Sequence, residues 1–104
     1  MNKEETLIGQ ATPEQIAEWK KKYTRLFTIK VGGHIVYLKK PDRKTLSYAS
    51  SVGQKDPIKF NEVVLNNCFV GGSESVKTDD ELFLGASSEL VNIIQIKEAE
   101  LEEL

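Results

Sequence analysis

The sequence predicts an α+β fold in which an antiparallel β-hairpin packs against a small bundle of four α-helices. Three observations lead there. Leu26 to Arg43 reads LFTIKVGGHIVYLKKPDR, two runs of alternating apolar and polar residues joined at Gly32-Gly33. Two separate stretches open with helix-capping signatures followed by apolar residues at helical spacing. The chain is 104 residues long, room for one modest core and no more.

In the hairpin, turn chemistry and periodicity agree. Both glycines can take positive φ, which a two-residue primed turn requires, and such a turn sets the register. Val31 then faces His34, Ile29 faces Val36 and Phe27 faces Leu38 on a nearly apolar face. Lys30 opposite Ile35, Thr28 opposite Tyr37 and Leu26 opposite Lys39 make a mixed face. A one-residue slip would carry the lysines into the core, so the pattern defends its own register. An isolated hairpin is marginal in water, so helices must cover the apolar face.

Around this hairpin the chain divides into a mobile arm over residues 1–11 and a single α+β domain over 12–104 that ends in an acidic helix. Thr12-Pro13-Glu14-Gln15 combines an N-cap threonine, a proline at the first helical position and a glutamine three residues on, so a helix starts there. Ile16, Trp19 and Tyr23 form its apolar face, expected to cover one end of the hairpin. Pro41 ends the second strand. Asp42 then caps a helix from about Arg43 to Ser51, with Leu46, Tyr48, Ala49 and Val52 as its apolar side. Asp56-Pro57 starts a third helix, to about Phe69, whose wide apolar surface marks it as central. Gly71 to Lys77 reads as a loop. Thr78-Asp79-Asp80-Glu81 is a second capping box with an acidic first turn. The helix it opens is expected to run nearly to Leu104 along a stripe of Phe83, Ala86, Leu90, Val91, Ile94, Leu101 and Leu104, with a break plausible at Gly85.

Composition excludes several classes. No apolar run approaches the roughly 20 residues that a membrane span needs. The N-terminal MNKEETLIGQAT has no secretory h-region, so the expectation is a cytoplasmic protein. Cys68 has no intrachain partner and sits among Val64, Leu65 and Phe69, which reads as a buried small hydrophobe. His34 has no second histidine or nearby cysteine to complete a metal or catalytic site. Asp79-Asp80-Glu81 is explained by helix capping without an ion. The glycine pairs lack the lysine and hydroxyl of a phosphate loop. No catalytic, cofactor or metal residues are assigned, and the expected class is not an enzyme.

Charge is segregated within a net of -2. From Lys20 to Lys59 eleven basic residues face only Asp42 and Asp56, a net of +9; residues 60–104 carry -8. The pattern favours attraction between the halves, within one fold or between subunits of a homo-oligomer. The alternative is a small nucleic-acid-binding accessory protein using the basic segment Lys20 to Lys59, with Tyr23 or Tyr37 stacking on bases.

Several segments, taken together, carry a resemblance. They are a helix with Trp19, the strand Ile35-Val36-Tyr37-Leu38, and Lys40-Pro41-Asp42-Arg43 leading into a helix. Pro57-Ile58-Lys59-Phe60-Asn61-Glu62-Val63-Val64-Leu65 then continues to Cys68 and a glycine pair. From Trp19 to Leu101 the chain resembles the small tail assembly chaperones of tailed bacteriophages and prophages. The resemblance implies a non-enzymatic protein that binds the helical tape-measure protein, keeps it soluble and assists tail assembly in the host cytoplasm. It carries no residue-level functional motif. The apolar stripe Leu90, Ile94, Leu101 and Leu104, with Tyr37 and Lys39 on the hairpin's mixed face, is the candidate partner-binding surface.

Overall fold

The computed structural model describes residues 6–94 and 99–104. Its elements are α1 (Pro13–Lys22), β1 (Leu26–Val31), β2 (His34–Lys39), α2 (Arg43–Val52), α3 (Pro57–Cys68), β3 (Phe69–Gly72), α4 (Ser75–Thr78) and α5 (Asp80–Leu90), followed by a 3-10 turn at Val91–Ile93. The fold is α+β, with a three-stranded antiparallel sheet in the order β1-β2-β3.

β1 and β2 pair from Leu26 opposite Lys39 to Val31 opposite His34. Gly32 and Gly33 turn the chain at φ +54° and +82°, left-handed values that a side chain would oppose. Ile29, Val36 and Leu38 lie in the core with Val64, Leu65 and Cys68 of α3, Ala49 of α2, Val76 of α4 and Phe83, Ala86 and Leu90 of α5. Phe27 and Val31 pack at its margin.

The four-helix bundle is replaced by a layered arrangement. α1 does not join the core; it lies on the opposite face of the sheet. The alternation of β2 sends Ile35 and Tyr37 to that face, and both are buried. Trp19 stacks on Tyr37 with ring centroids 5.2 Å apart, tilted by 49°. The segment expected as a mobile arm contributes here too. Ile8 N–H donates to Gly33 C=O at 2.9 Å, Ile35 N–H donates to Ile8 C=O at 3.0 Å, and Ala11 N–H donates to the Tyr37 hydroxyl at 3.1 Å. The remainder of that arm, residues 1–5, lies outside the described residues.

The sequence predicts a helix end and a loop where the structure has β3. Cys68 ends α3, and the chain turns directly into a strand that pairs Leu38 with Phe69, Tyr37 with Gly71 and Val36 with Gly72, with an irregularity between Tyr37 and Leu38. Glycine is needed here for close approach. A Cβ on Gly71 would lie 2.6 Å from the Trp19 ring, and one on Gly72, at φ +119°, would lie 2.7 Å from Val36 Cα.

The helix starts follow the capping chemistry. Thr12 Oγ1 accepts from Gln15 N–H at 3.1 Å while Gln15 Oε1 accepts from Thr12 N–H at 3.0 Å, a closed capping box. Asp42 accepts from Thr45 N–H at 2.8 Å and Asp56 from Ile58 N–H at 3.1 Å. The last helix is capped one residue later than expected: Asp79, not Thr78, accepts from Leu82 N–H at 3.0 Å, because Thr78 closes the short α4.

The long C-terminal helix is corrected. α5 stops at Leu90 and passes through the 3-10 turn, where Val91, Ile93 and Ile94 lower helix propensity. The stretch of the expected helix over residues 95–98 lies outside the described residues, and 99–104 are not helical. Gly85 is no break: it lies within α5, where a Cβ would come 2.8 Å from Val31 Cγ2, so its absence lets the helix approach β1.

Two glycine variants separate strain from packing. Gly33→Ala meets open space and is expected to cost about 1 kcal/mol for its left-handed backbone. Gly72→Ala adds a collision with the β2 backbone and is expected to cost about 3 kcal/mol. Urea denaturation of the two variants checks this ordering.

Candidate functional site

The expected partner-binding residues divide between core and surface. Leu90 is 1% exposed and Tyr37 is 2% exposed, so neither offers its side chain to a partner. The stripe through Phe83, Ala86 and Leu90 has the expected helical spacing, but it is the face by which α5 enters the core. Ile94 and Lys39 are half-buried, while Leu101 and Leu104 are fully exposed. Tyr48, expected on the apolar side of α2, instead points outward at 59% exposure.

Two surface features are built by the fold. The first lies where α1 ends beside the exit of β2. Tyr23 caps α1 with its N–H donating to Trp19 C=O at 2.9 Å, and its extended backbone turns the chain into β1. Lys39 leaves the end of β2 on the same side, its ammonium 5.6 Å from the centre of the Tyr23 ring. Between them runs an open groove of about 380 Å³ lined by Lys22, Tyr23, Thr24, Arg25, Lys39, Lys40, Pro41 and Asp42. Arg25 lies 5.3 Å from the Phe27 ring centre. A second groove, sharing Lys39 and Asp42, continues past Lys44, Thr45, Tyr48 and Asn67. Lys22, Arg25, Lys39, Lys40 and Lys44 thus belong to one connected basic strip. Asp42 is its one acidic member, and its carboxylate is engaged by Thr45. The hydrogen bond from Thr45 N–H, then that from the Thr45 hydroxyl, holds its pKa below the usual 3.8.

Lys30 lines a separate groove with Glu89 and Asn92. Among the described residues the ion pair formed is Lys77 with Glu74 at 3.0 Å, inside the acidic half. Lys77 also lies over the Phe69 ring at 4.2 Å.

The second feature is a cleft between α3 and α5, beside α4, apolar at Ile58, Phe83 and Leu84 and charged at Glu62, Lys77 and Asp80. It has a volume of about 250 Å³. Ile58 and Leu84 are 49% and 53% exposed beside the buried Phe83. The sequence reading treats the wide apolar surface of the third helix as central to the core and gives Leu84 no role, so it misses this cleft. The available signal was breadth: apolar residues on α3 and α5 cover more of each helix than one contact face can bury.

The remaining reactive groups are structural in their surroundings. His34 Nδ1 lies 2.8 Å from the buried Ser73 Oγ, a bond that ties the hairpin tip to the residue after β3. Ser73 N–H in turn donates to Ile35 C=O at 2.9 Å. Cys68 is fully buried, and burial pushes its thiol from 9.0 up to about 11. Among the described residues, no three His, Cys, Asp or Glu converge as a metal site would need, and no helix is long and apolar enough to cross a membrane.

No family model, curated protein or solved structure matches this chain.

The Cys68 thiol gives a direct test of this packing. Because its folded pKa is raised, its contribution to stability is intact below pH 9 and is lost as pH rises toward about 11. A thiol-specific reagent at neutral pH is expected to label Cys68 only as fast as the protein unfolds, and rapidly in denaturant.

Proposed function

We propose that this chain is a non-enzymatic, cytoplasmic assembly chaperone of the tailed-phage kind, holding a helical segment of a tape-measure-type client. The observation that carries the proposal is the cleft between α3 and α5. Ile58 and Leu84 flank it in the open while the core beneath is closed. An amphipathic helix laid there would bury its apolar face on Ile58, Phe83 and Leu84, with basic side chains toward Glu62 and Asp80. A client with alternating apolar and basic positions suits both the leucine and the carboxylates. The resemblance supports the same reading. The segment Lys40 to Arg43 leads into α2 through the Asp42 cap, and Pro57 to Cys68 forms one wall of the cleft.

The basic strip favours a second reading, a polyanion-binding accessory protein. Its stacking requirement is poorly met, since Tyr37 is buried and Tyr23 is already paired with the Lys39 ammonium. The client reading therefore has the better geometric support.

The test is co-expression with the longest coiled-coil-rich reading frame adjacent to the gene. The soluble fraction of that client is expected to rise about tenfold with the wild-type chain, and to fall back with Ile58→Glu/Leu84→Glu, whose exposed positions spare the fold. An unchanged soluble fraction, or a double variant as effective as wild type, would remove the proposal.

A further inference from the structure

Residues 99–104, Ala-Glu-Leu-Glu-Glu-Leu, leave the folded part of the chain with every residue exposed. Leu101 and Leu104 are 101% and 111% exposed, so the groove of the same chain does not hold them. The segment carries Glu100, Glu102 and Glu103 interleaved with those leucines. The basic groove beside α1 presents the complement. Lys22, Lys39 and Lys40 line it together with Tyr23 and the buried Pro41, so cationic heads stand around an apolar floor.

We infer that the acidic leucine tail of one copy seats in the groove between α1 and the end of β2 of a second copy. The leucines would lie on Tyr23, Pro41 and the lysine stems, with the glutamates toward Lys22, Lys39 and Lys40. Groove and tail are different surfaces, so the contact is heterologous and propagates from copy to copy. This explains the segregation of charge. The two halves carry opposite net charge and are therefore suited to pair between chains. The inference does not depend on the client cleft, which lies on α3 and α5, and the two can fail separately.

Light scattering on the full chain tests it. The mass of the wild type is expected to climb with protein concentration to about twice the monomer or more in about 20 mM salt, and to return to the monomer near 0.5 M salt. Leu101→Asp/Leu104→Asp and Lys39→Glu/Lys40→Glu should each stay monomeric at low salt with an unchanged far-ultraviolet spectrum. The deciding arm mixes the groove variant Lys39→Glu/Lys40→Glu with the tail variant Glu100→Lys/Glu102→Lys/Glu103→Lys. Each alone should be monomeric, and the mixture should associate. A wild type monomeric at every salt concentration, or tail variants that associate like wild type, would overturn the inference. So would a short single-stranded DNA that occupies the groove and is not displaced by a peptide of residues 99–104.

Discussion

The structure depends on β2 being buried on both faces and paired along both edges. Val36 and Leu38 face the helical core, while Ile35 and Tyr37 face α1 and the segment before it. β1 holds one edge; β3, continued by Ile8, holds the other. Each apolar side chain taken from water there contributes roughly 1.5–3 kcal/mol, and among the described residues no other element buries as many. A central strand with two covered faces also leaves no open sheet edge on its own flanks for another chain to pair with.

That closure decides where recognition can occur. With the sheet interior sealed, the surfaces left for partners are at its rims. The cleft between α3 and α5 is where the core's outer helices leave Ile58 and Leu84 uncovered. The basic groove is where α1 ends against the β2 exit, so that Lys22 and Lys39 meet although they are distant in sequence. Neither surface needs a moving part. Both are by-products of how the helices must sit to cover β2.

Much of this was legible in the residues. Gly32-Gly33 fixed a register that the alternating strands reinforce, and the observed pairing is the one such a turn imposes. Thr12, Asp42 and Asp56 marked their helix starts because a short polar side chain before a helix has one evident use. What was not legible depended on long-range packing. Tyr37 looks exposable because the hairpin face it shares also carries Lys30, Thr28 and Lys39; only the arrival of Trp19 and Ala11 buries it. Phe69 to Gly72 looks like a helix end because its partner strand lies thirty-odd residues earlier and two glycines have low strand propensity. Leu90 reads as a surface stripe when the helix is imagined continuing, and as core once the β-branched residues after it end the helix. The candidate site was legible in parts: Lys39, Leu101 and Leu104 are on the surface, but the cleft and the groove exist only in three dimensions.

Closure of β2 on both faces can be measured by residue-by-residue amide hydrogen exchange. The amides of Ile35 to Leu38 are expected to exchange only through global unfolding, with one shared free energy. Ile35 is the informative position, since its N–H is held by Ile8 and not by a strand of the hairpin. If Ile35 and Tyr37 exchanged through local opening while Val36 and Leu38 remained protected, α1 and the preceding segment would not be part of the fold's cooperative unit. The two-faced burial of β2 would then be contradicted.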